Sequence, residues 1–447
     1  MFKKILVANR GEIAVRIIRA CREMNISTVA VYSEADKYSL HTQLADEAIC
    51  IGPAASKDSY LNIENIISAA VITGAEAIHP GFGFLSENSK FARICNECNI
   101  AFIGPSDKSM ELMGNKSEAR KMMKKAGVPI VPGTEGTLNN IKDAVITAKE
   151  IGYPVMIKAS AGGGGRGIRI VFSESELENA FNTAASEAES CFGDGSLYME
   201  KYIQEPHHIE IQILADKYGN AVYLGERDCS IQRRNQKVLE EAPSALIDEK
   251  LREEMGNVAV RAAKSVNYEN AGTIEFLVDK DLNYYFMEMN TRIQVEHGIT
   301  ELVTGIDIVK EQIKIASGEP LKYQQSDIVI KGHAIECRIN AEDPENNFKP
   351  SPGTITEINI PGGPGIRMDS SIYQGYTVPP YYDSMLAKIM AYGENREEAI
   401  ARMKRALYEL IIEGPKNNIE FQYDILENEE FVKGNYNTSF LKDKMVK

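Results

Sequence analysis

The chain contains no tryptophan, only six histidines and only seven cysteines among its 447 residues. The cysteines are odd in number and follow no regular spacing, which is typical of reduced intracellular thiols and argues against a disulfide framework. Every apolar run is shorter than the ~18 residues that a membrane-spanning helix needs, and the run before Arg10 and Glu12 is too short for a signal peptide. We therefore expect a cytoplasmic protein without a membrane anchor.

Positive charge is also in short supply. There are 50 basic residues against 64 acidic ones, and the formal net charge is -14. Nucleic acids and anionic membranes are bound through basic surfaces, so neither is expected as a main partner. The length is too great for one ordinary core, and about two to four domains are expected.

Several nucleotide and metal motifs are missing as well. The first turn reads NRGE, with one glycine where dinucleotide-binding folds have GxGxxG, and the Walker pattern GxxxxGK[ST] does not occur. Cys95 and Cys98 form a lone CxxC, which we interpret as buried or spare thiols because no second pair lies nearby. The sequence thus predicts neither a dinucleotide site nor a zinc site.

Strand and helix patterns alternate through the first quarter of the chain. Strand patterns at residues 5–8, 27–33 and 75–80 are separated by helical stripes such as Ile13, Ile17, Ala20 and Cys21. This order predicts a parallel sheet that is covered on both faces. GFGFLSEN follows a strand at the edge where such sheets place ligands, although a plain turn explains these residues better on their own. We expect a Rossmann-like domain.

Four consecutive glycines, residues 162–165, lie between two strand patterns in KASAGGGGRGIRIV. Only glycine lets backbone N–H groups wrap a polyphosphate without a side-chain clash. A flexible linker is the competing interpretation, but β-rich flanks with a bracketing Lys158 and Arg166 are not linker composition. The strand pattern at 196–203 carries Glu200 and Lys201, which suits a hinge that holds adenine and ribose. We expect a hairpin lid over a nucleotide.

The segment YYFMEMNTRIQVEH, residues 284–297, predicts a strand with one polar face. That face would carry Glu288, Asn290, Arg292, Gln294 and Glu296. GTIEFLVD upstream predicts the partner strand, and a turn in DKDLN would place Glu275 opposite Glu288. Facing carboxylates repel, and with the Asn290 oxygen they form a site that suits Mg²⁺ or Mn²⁺. A solvated polar face is the alternative, which we rank lower.

Basic residues concentrate in ERDCSIQRRNQKVLEEAPS, which carries Arg227, Arg233, Arg234 and Lys237. Such a local excess in an acidic chain indicates an anionic ligand, with a solvated loop as the alternative. His207 and His208 come just before it, and at most one can join a site because adjacent side chains of an extended chain point apart.

The last part of the chain predicts a third domain. KGHAIECRINAEDP alternates like a strand, and FKPSPGTITEINIPGGPG is typical of strands joined by tight turns. REEAIARMKRALYELIIEGPKN, residues 396–417, predicts an amphipathic helix that Gly414 and Pro415 terminate.

The glycine lid, the lysines upstream of it and the Glu/Glu/Asn hairpin resemble the ATP-grasp ligases. More narrowly, the chain resembles the biotin carboxylase family, in chain order from residue 3 to about residue 425. The motifs are ILVANRGEIAVRIIRA, IHPGFGFLSEN, MGNK, KASAGGGGRGIR, MEKYI, ERDCSIQRRNQK, EMNTRIQVEH and GHAIECRINAEDP. The resemblance implies an α/β and α+β protein: a Rossmann-like N-terminal domain at 1–113, an ATP-grasp domain at 114–330 with its glycine-rich lid at about 131–203, and a β-rich C-terminal domain at 331–447.

The resemblance also implies site residues. Those for ATP are Lys116, Lys158, Gly164, Gly165, Glu200, Lys201, Ile203, His208, Asn235, Glu275 and Glu288. Those for Mg²⁺ or Mn²⁺, with two ions expected, are Glu275, Glu288 and Asn290. Those for bicarbonate are Lys237, Arg292, Gln294 and Val295. Glu296 is the implied base, with Lys237, Arg292 and Arg338 as further catalytic residues. Arg338 and Phe82 are the implied biotin residues.

Three positions depart from the family pattern. Phe82 stands where a tyrosine is usual, Asn235 where a histidine that contacts the nucleotide is common, and Gly298 where the family has VEHP. The first two bear on affinity. Gly298 is expected to loosen the loop that aims Glu296.

The implied reaction uses ATP and bicarbonate to carboxylate biotin through carboxyphosphate, with release of ADP and phosphate. The chain has no Ala-Met-Lys-Met for biotin attachment, so a separate carrier protein and a separate carboxyltransferase are expected. Arg16, Arg19 and Glu23 fall where the family's homodimer contacts lie. Acetyl-CoA carboxylase of fatty acid biosynthesis and the carboxylases of propionyl-CoA and pyruvate are all open. Another ATP-grasp carboxylate ligase and a nucleotide-binding subunit with weak catalysis are the alternatives.

Overall fold

The computed structural model describes residues 1–134, 136–138, 140–159, 168–192 and 194–445. Two compact units are present. The first consists of residues 1–128, 207–276 and 288–447, and the second of residues 129–206 and 277–287. The units follow packing rather than chain order, and the division into three sequential domains stays a prediction. Within the described residues, no helix combines the length and the apolar character needed to cross a membrane.

The predicted parallel sheet of the N-terminal region is confirmed. Its strands are β1 Lys4–Val7, β2 Ser27–Tyr32, β3 Glu47–Cys50, β4 Ala77–His79 and β5 Ala101–Phe102. They are ordered β3-β2-β1-β4-β5, and all neighbours are parallel. The helices are α1 Gly11–Glu23, α2 Leu40–Leu44, α3 Ile63–Thr73, α4 Ser89–Glu97, α5 Asp107–Gly114 and α6 Lys116–Lys125. The predicted stripe of α1, from Ile13 to Cys21, is buried against the sheet core.

The second unit contains a three-stranded antiparallel sheet flanked by two helices. Its elements are α7 Ile141–Ile151, β6 Val155–Ala159, β7 Ile168–Val171, α8 Glu174–Phe192 and β8 Leu197–Lys201. The sheet order is β7-β6-β8. The strands on both sides of the glycine run therefore pair as expected, with Lys158 opposite Ile168. The glycine run itself, with Gly164 and Gly165, lies outside the described residues.

The remaining strands are numerous. They are β9 His207–Ala215, β10 Ala221–Arg233, β11 Gln236–Ala242, β12 Asn270–Val278, β13 Tyr284–Asn290, β14 His333–Asn340, β15 Glu342–Asp343, β16 Lys349–Pro350, β17 Gly353–Thr354, β18 Glu357–Asn359, β19 Ile366–Ser370, β20 Thr377–Val378, β21 Met385–Gly393 and β22 Ile411–Glu413. The helices are α9 Glu249–Ser265, α10 His297–Thr304, α11 Ile308–Ala316, α12 Arg396–Glu409, α13 Ile419–Glu427 and α14 Glu429–Val432.

Eight of these strands form one sheet in the order β13-β12-β9-β10-β11-β14-β21-β19. The basic segment 226–244 lies in the β10–β11 hairpin of this sheet, so its interpretation as a solvated loop is wrong. Alternation places Ile335, Cys337 and Ile339 of β14 in a core with α12 and α13. Glu336 and Arg338 therefore lie on the opposite face of the sheet.

Two predicted boundaries are wrong. The strand expected over 284–297 ends at Asn290, because the next amide, Thr291 N, donates to the Glu87 carboxylate at 2.9 Å instead of joining a ladder. The helix expected over 396–417 ends at Glu409. The β-branched residues that follow favour an extended strand, and Ile412 pairs with Ile358 of β18.

Candidate active site

Lys237, on β11, lies at the centre of a cluster of buried acids. Its Nζ donates to Glu210 Oε2 at 2.6 Å, to Glu296 Oε1 at 2.6 Å and to Glu275 Oε1 at 3.1 Å. Burial lowers the pKa of the lysine, but the negative charge around it, to which the three carboxylates contribute, holds the pKa well above its usual range. Three acids from β9, β12 and the segment after β13 are thus held together by one ammonium group.

Arg227, on β10, is fully buried and uses all five of its N–H groups. Its acceptors are Glu210 Oε1, Gln212 Oε1, Thr300 Oγ1, Thr273 Oγ1 and Gln294 Oε1. A buried guanidinium is stable only when its donors are satisfied. Arg227 therefore fixes Gln294, a predicted bicarbonate residue, relative to three strands and α10.

Two groups of side chains in this cluster have the proximity of metal ligands. Their ligand atoms lie within 4.8 Å of one another, and the groups are His208, Glu210, Glu275 and Glu210, Cys229, Glu296. Glu210 is shared by both groups and already accepts from two cations, Lys237 and Arg227. Burial raises the pKa of Cys229 well above its usual range, so it is a thiol and not a thiolate ligand. Lys237 already donates to Glu210, Glu275 and Glu296, so an acid of each group is engaged by a cation.

Glu296 is the acid of the cluster that also contacts Arg338. Its Oε2 accepts from Arg338 Nη2 at 2.9 Å, while Lys237 holds the other oxygen. Burial raises the pKa of this carboxyl, but Lys237, Arg338 and Arg227 outweigh the burial and hold its pKa well below the usual range. Glu296 is therefore an ionised carboxylate held between two cations.

Arg338, on β14, is paired a second time by a buried acid. Its Nε donates to Glu240 Oε1 at 2.6 Å, and β11 brings Glu240 next to β14 in the sheet. Burial raises the pKa of Glu240 to about 7 against the opposing effect of Arg338. The sequence reasoning missed Glu240 and Glu210, because an acid on an alternating strand looks like part of a solvated face.

Glu275, on β12, is held by four donors. His208 Nε2 donates to Oε2 at 2.9 Å, and Oε1 accepts from Asn290 and Gln294 at 2.8 Å each besides Lys237. Gln232 donates to His208 Nδ1, which leaves the proton on Nε2. Although burial opposes it, Lys237 and His208 hold the pKa of Glu275 far below its usual range. His207 points elsewhere, to Asp228, so one of the two adjacent histidines joins the site as expected.

Glu288, on β13, is the acid of the predicted metal site that remains accessible. Its side chain is 42% exposed, and its nearest described cation is Lys116 Nζ at 3.9 Å. Burial and then the negative charge of Glu275 raise the pKa of Glu288. This mutual repulsion is what a divalent cation relieves, and two carboxylates with an amide oxygen suit Mg²⁺ or Mn²⁺. The donor set therefore fits the implied metal.

Arg292 lies at the edge of the cluster. Its Nε donates to Glu87 Oε2 and its Nη2 to Asn290 Oδ1, both at 2.9 Å. Glu87 comes from the GFGFLSEN loop and also accepts from Thr291 N and Oγ1. The loop that the sequence alone left as a plain turn thus anchors the predicted bicarbonate arginine.

Phe82 lies in the same loop, and Asn9 fixes its backbone. Asn9 Nδ2 donates to the carbonyls of Phe82 and Pro80 at 2.7 and 2.6 Å. A side chain at Gly81 would lie 2.9 Å from Asn9 Nδ2, and Gly81 has a positive φ, so the tight loop needs this glycine. Asn9 thus braces the loop that carries Phe82, and only its position after β1 could have indicated this.

Asn235 and Gly298 have local explanations. Arg234 and Asn235 both have positive φ, at 52° and 63°, and form the two-residue turn of the β10–β11 hairpin. Asparagine tolerates this conformation better than most residues. Gly298 is buried inside α10, where a Cβ would lie 2.4 Å from Met390 Sδ. The expectation that Gly298 loosens the loop is therefore wrong, because the helix packs tightly at this point.

The backbone of the catalytic strands is held from behind by α13 and the turn before it. Gln422 Nε2 donates to the carbonyls of Val238 and Arg338 at 2.9 and 2.8 Å. Asn418 Nδ2 donates to the Arg338 carbonyl, and its Oδ1 accepts from Asn340 N. Both side chains are buried, and both were missed, since a polar residue on a surface-like helix carries no signal.

The remaining predicted ATP residues belong to the second unit. Lys158 Nζ and Glu200 Oε2 form an ion pair at 2.5 Å across β6 and β8. Lys201 Nζ donates to the carbonyls of Gly152 and Tyr153. Ile203 is half-buried in the segment after β8. Lys158, Glu200 and Lys201 are thus brought to adjacent strands.

The first helix bears on the expected homodimer. Arg16 is buried and donates to Glu301 Oε1 and Asp307 Oδ1 at 2.9 and 2.6 Å. Glu23 pairs with Lys310 at 2.6 Å, and Arg19 is exposed. Two of the three expected contact residues therefore have partners within the chain.

Comparison with known proteins covers almost the whole chain. Residues 1–110 match the biotin carboxylase N-terminal domain, residues 115–324 the carbamoyl-phosphate synthase L chain ATP-binding domain, and residues 336–443 the biotin carboxylase C-terminal domain. Biotin carboxylase 1 of Bacillus subtilis is 60% identical over 99% of this chain and 98% of its own. A pyruvate carboxylase subunit of Methanothermobacter thermautotrophicus is 55% identical over 99% of this chain and 90% of its own.

A solved structure is equally similar. It is the biotin carboxylase domain dimer of 2-oxoglutarate carboxylase from Hydrogenobacter thermophilus, in complex with MgADP, ADP and bicarbonate. It has 54% identity, covers 99% of this chain and 98% of its own, and superposes with a TM-score of 0.90.

Proposed function

The chain belongs to the biotin carboxylase family, and on that premise we propose how its residues divide the work of ATP-dependent biotin carboxylation. The reaction takes a carboxyl group from bicarbonate to biotin while ATP is converted to ADP and phosphate. The proposal places bicarbonate activation at Glu296, phosphate binding near Glu275 and Glu288, and biotin activation at Arg338.

Glu296 acts as the base that removes the proton of bicarbonate. Bicarbonate is a poor nucleophile until it is deprotonated, and a positioned base contributes about 10²–10⁴-fold to such a step. The observation that carries the assignment is the ionised Glu296 carboxylate between Lys237 and Arg338. Lys237, Arg292, Gln294 and the backbone of Val295 bind the anion, with the arginine suited to a bidentate contact.

Glu275, Glu288 and Asn290 hold Mg²⁺ or Mn²⁺. Bound metal neutralises phosphate charge during phosphoryl transfer. Lys116, Lys158 and His208 contribute to ATP binding, as do Gly164, Gly165, Glu200, Lys201, Ile203 and Asn235. The deprotonated bicarbonate attacks the γ-phosphate and forms carboxyphosphate, so the residues of the chain mainly position and neutralise the reactants.

Arg338 stabilises the enolate-like anion of biotin, with Phe82 beside the ring. The same guanidinium now pairs with Glu296 and Glu240. One group can therefore respond to the charge of Glu296 and to the charge that develops on biotin. Protonation of Glu296 by bicarbonate weakens its hold on Arg338, which frees the guanidinium for biotin.

The partners follow from the same assignment. The biotin arrives on a separate biotin carboxyl carrier protein, and a separate carboxyltransferase chain uses the product. The similar structure of a domain dimer supports a homodimer, and a cytoplasmic location fits the reduced thiols. We place the protein in acetyl-CoA carboxylase, and hence in fatty acid biosynthesis, or in a related carboxylase.

The test is release of ADP by the purified protein with free biotin as the acceptor. We expect release that needs both bicarbonate and biotin, that Glu296→Gln abolishes, and that Glu97→Gln, at an exposed position of α4, leaves unchanged. Another ATP-grasp ligase would release ADP with an amine in place of biotin. A nucleotide-binding subunit with weak catalysis would bind ATP with no release under any of these conditions. Either result would contradict the proposal.

A further inference from the structure

The six residues between β13 and α10, numbers 291–296, form no regular secondary structure although they carry three of the four predicted bicarbonate residues and the base. Side chains from other elements hold this segment in place. Glu87 fixes its start through Thr291, and Arg227 and Glu275 fix its middle through Gln294. Its last part is held by Lys388, whose Nζ donates to the carbonyl oxygen of Val295.

Lys388 lies on β21 and is fully buried. It stands in a cross-strand row, opposite Arg338 of β14 on one side and Asp369 of β19 on the other. Removing an ammonium group from water is costly unless negative charge lies nearby. Glu12 supplies it, with Oε1 at 3.4 Å from Nζ, and Asp369 adds to it. These acids keep the pKa of Lys388 raised in spite of burial, so it remains a charged donor.

The position of the accepting oxygen gives this bond a functional meaning. The Val295 carbonyl and the Glu296 amide belong to one planar peptide group. A donor that fixes the oxygen therefore fixes the plane from which the Glu296 side chain projects. Lys237 and Arg338 hold the carboxylate end of the same side chain. Glu296 is thus fixed at both ends by cations that come from different strands.

We propose that Lys388 is a positioning residue for Glu296, through its hydrogen bond to the Val295 carbonyl, in the bicarbonate-activating step. The inference rests on the proposed role of Glu296 as the base. Lys388 acts on the reaction through the backbone at Val295.

A purely structural role is the competing explanation, in which Lys388 serves only to neutralise Glu12. Glu12 Oε1 lies 3.4 Å from Lys388 Nζ, farther than the Val295 carbonyl oxygen to which the lysine donates. Two variants distinguish the positioning role from the purely structural role. Glu12→Gln removes the charge pair and keeps the Lys388 bond to Val295. Lys388→Met removes both and keeps the volume of the side chain.

The experiment compares steady-state ADP release with bicarbonate or ATP as the varied substrate. We expect Lys388→Met to lower kcat about 10- to 100-fold, since a misplaced catalytic group can cost about that much, with KM for ATP within about twofold. Arg252→Met is the control, because it removes another ion pair, between the half-buried Arg252 and the buried Glu226, in which none of the cluster residues takes part. It should lose a similar amount of stability and keep its kcat. Circular dichroism and thermal unfolding monitor folding of each variant.

Should Lys388→Met fail to fold, the double variant with Glu12→Gln decides, since it removes the charge of Lys388 together with that of its nearest acid. The expected result is a kcat about 10-fold below that of Glu12→Gln alone. A folded Lys388→Met protein with kcat within about twofold of the parent would overturn the inference, as would failure of both variants to fold. Glu296→Gln keeps the two proposals apart. If Glu296→Gln retains activity, the assignment of the base fails. If Glu296→Gln loses activity while Lys388→Met retains the kcat of the parent, only the positioning role of Lys388 fails.

Discussion

Gly298→Ala tests how strongly the position of Glu296, the proposed base, depends on the packing of α10. In an ordinary helix this change gains about 1 kcal/mol, because glycine is the poorer helix former. Here the new Cβ would lie 2.4 Å from Met390 Sδ and 3.3 Å from its Cε. Met390 is fully buried, so it has little room to turn away. Overpacking of this kind costs about 1–3 kcal/mol, and the clash outweighs the gain in helix propensity.

The expected net effect is a loss of about 0–2 kcal/mol in the free energy of unfolding. We also expect kcat to fall, and by a larger fraction than the stability does, because Glu296 is the N-cap of α10, two residues before the substitution. Urea unfolding followed by circular dichroism measures the first effect, and bicarbonate-dependent ADP release measures the second. In the double variant with Met390→Ala the clash is relieved, so the two changes should couple favourably by about 1–3 kcal/mol.

Gly114→Ala is the matched control for this experiment. It also replaces a helical glycine, at the end of α5, and its Cβ would meet nothing within 4 Å. We expect it to keep or raise stability by up to about 1 kcal/mol. Our reasoning would be refuted by a Gly298→Ala protein that gains as much stability as Gly114→Ala and retains full activity.

Arg338→Ala should lower biotin carboxylation far more than ATP binding, measured as kcat against the Kd for ATP, and equal loss of both would contradict the assigned role. Glu288→Gln should raise the Mg²⁺ concentration needed for half-maximal ADP release and change the unfolding midpoint little, because the side chain is partly exposed; an unchanged Mg²⁺ requirement would count against the metal site. Burial raises the pKa of Glu12 to about 7 from the ordinary 4.5. Between these values the folded chain binds more protons than the unfolded chain, so Glu12 makes stability fall as pH rises through this window. Glu12→Gln should therefore show a smaller difference in urea midpoint between about pH 5 and about pH 8 than the parent, and an unchanged difference would show that Glu12 is ionised throughout.

The local sequence pattern predicted the strands and helices well, but it predicted the surroundings of their side chains poorly. The alternation around Glu288 and Asn290 placed both residues correctly on one strand, since the period of a strand is a property of the chain itself. The same alternation extended the strand to Glu296, where it failed. The Thr291 amide is taken by Glu87, which is 204 residues away in the chain, and no local pattern carries that contact.

The acids that set the charge state of the site show the same limit. Glu240 reaches Arg338 only because β11 and β14 are neighbours in the sheet, although 98 residues separate them. A buried acid and a solvated acid have the same sequence signature when they alternate with apolar residues. Their difference arises from sheet order, which decides what lies across from them.

Arg227 has a consequence for anyone who wishes to move this chemistry to another scaffold. Its guanidinium satisfies acceptors on β9, β12, α10 and the segment before α10 at once. Lysine offers three donors on a point charge and cannot reproduce this planar fork. A transplant of the segment that carries Gln294 and Glu296 must therefore bring Arg227 and its five acceptors with it. The smallest part of this site that could be transferred is a set of contacting residues from several strands and a helix, and not one continuous segment of the sequence.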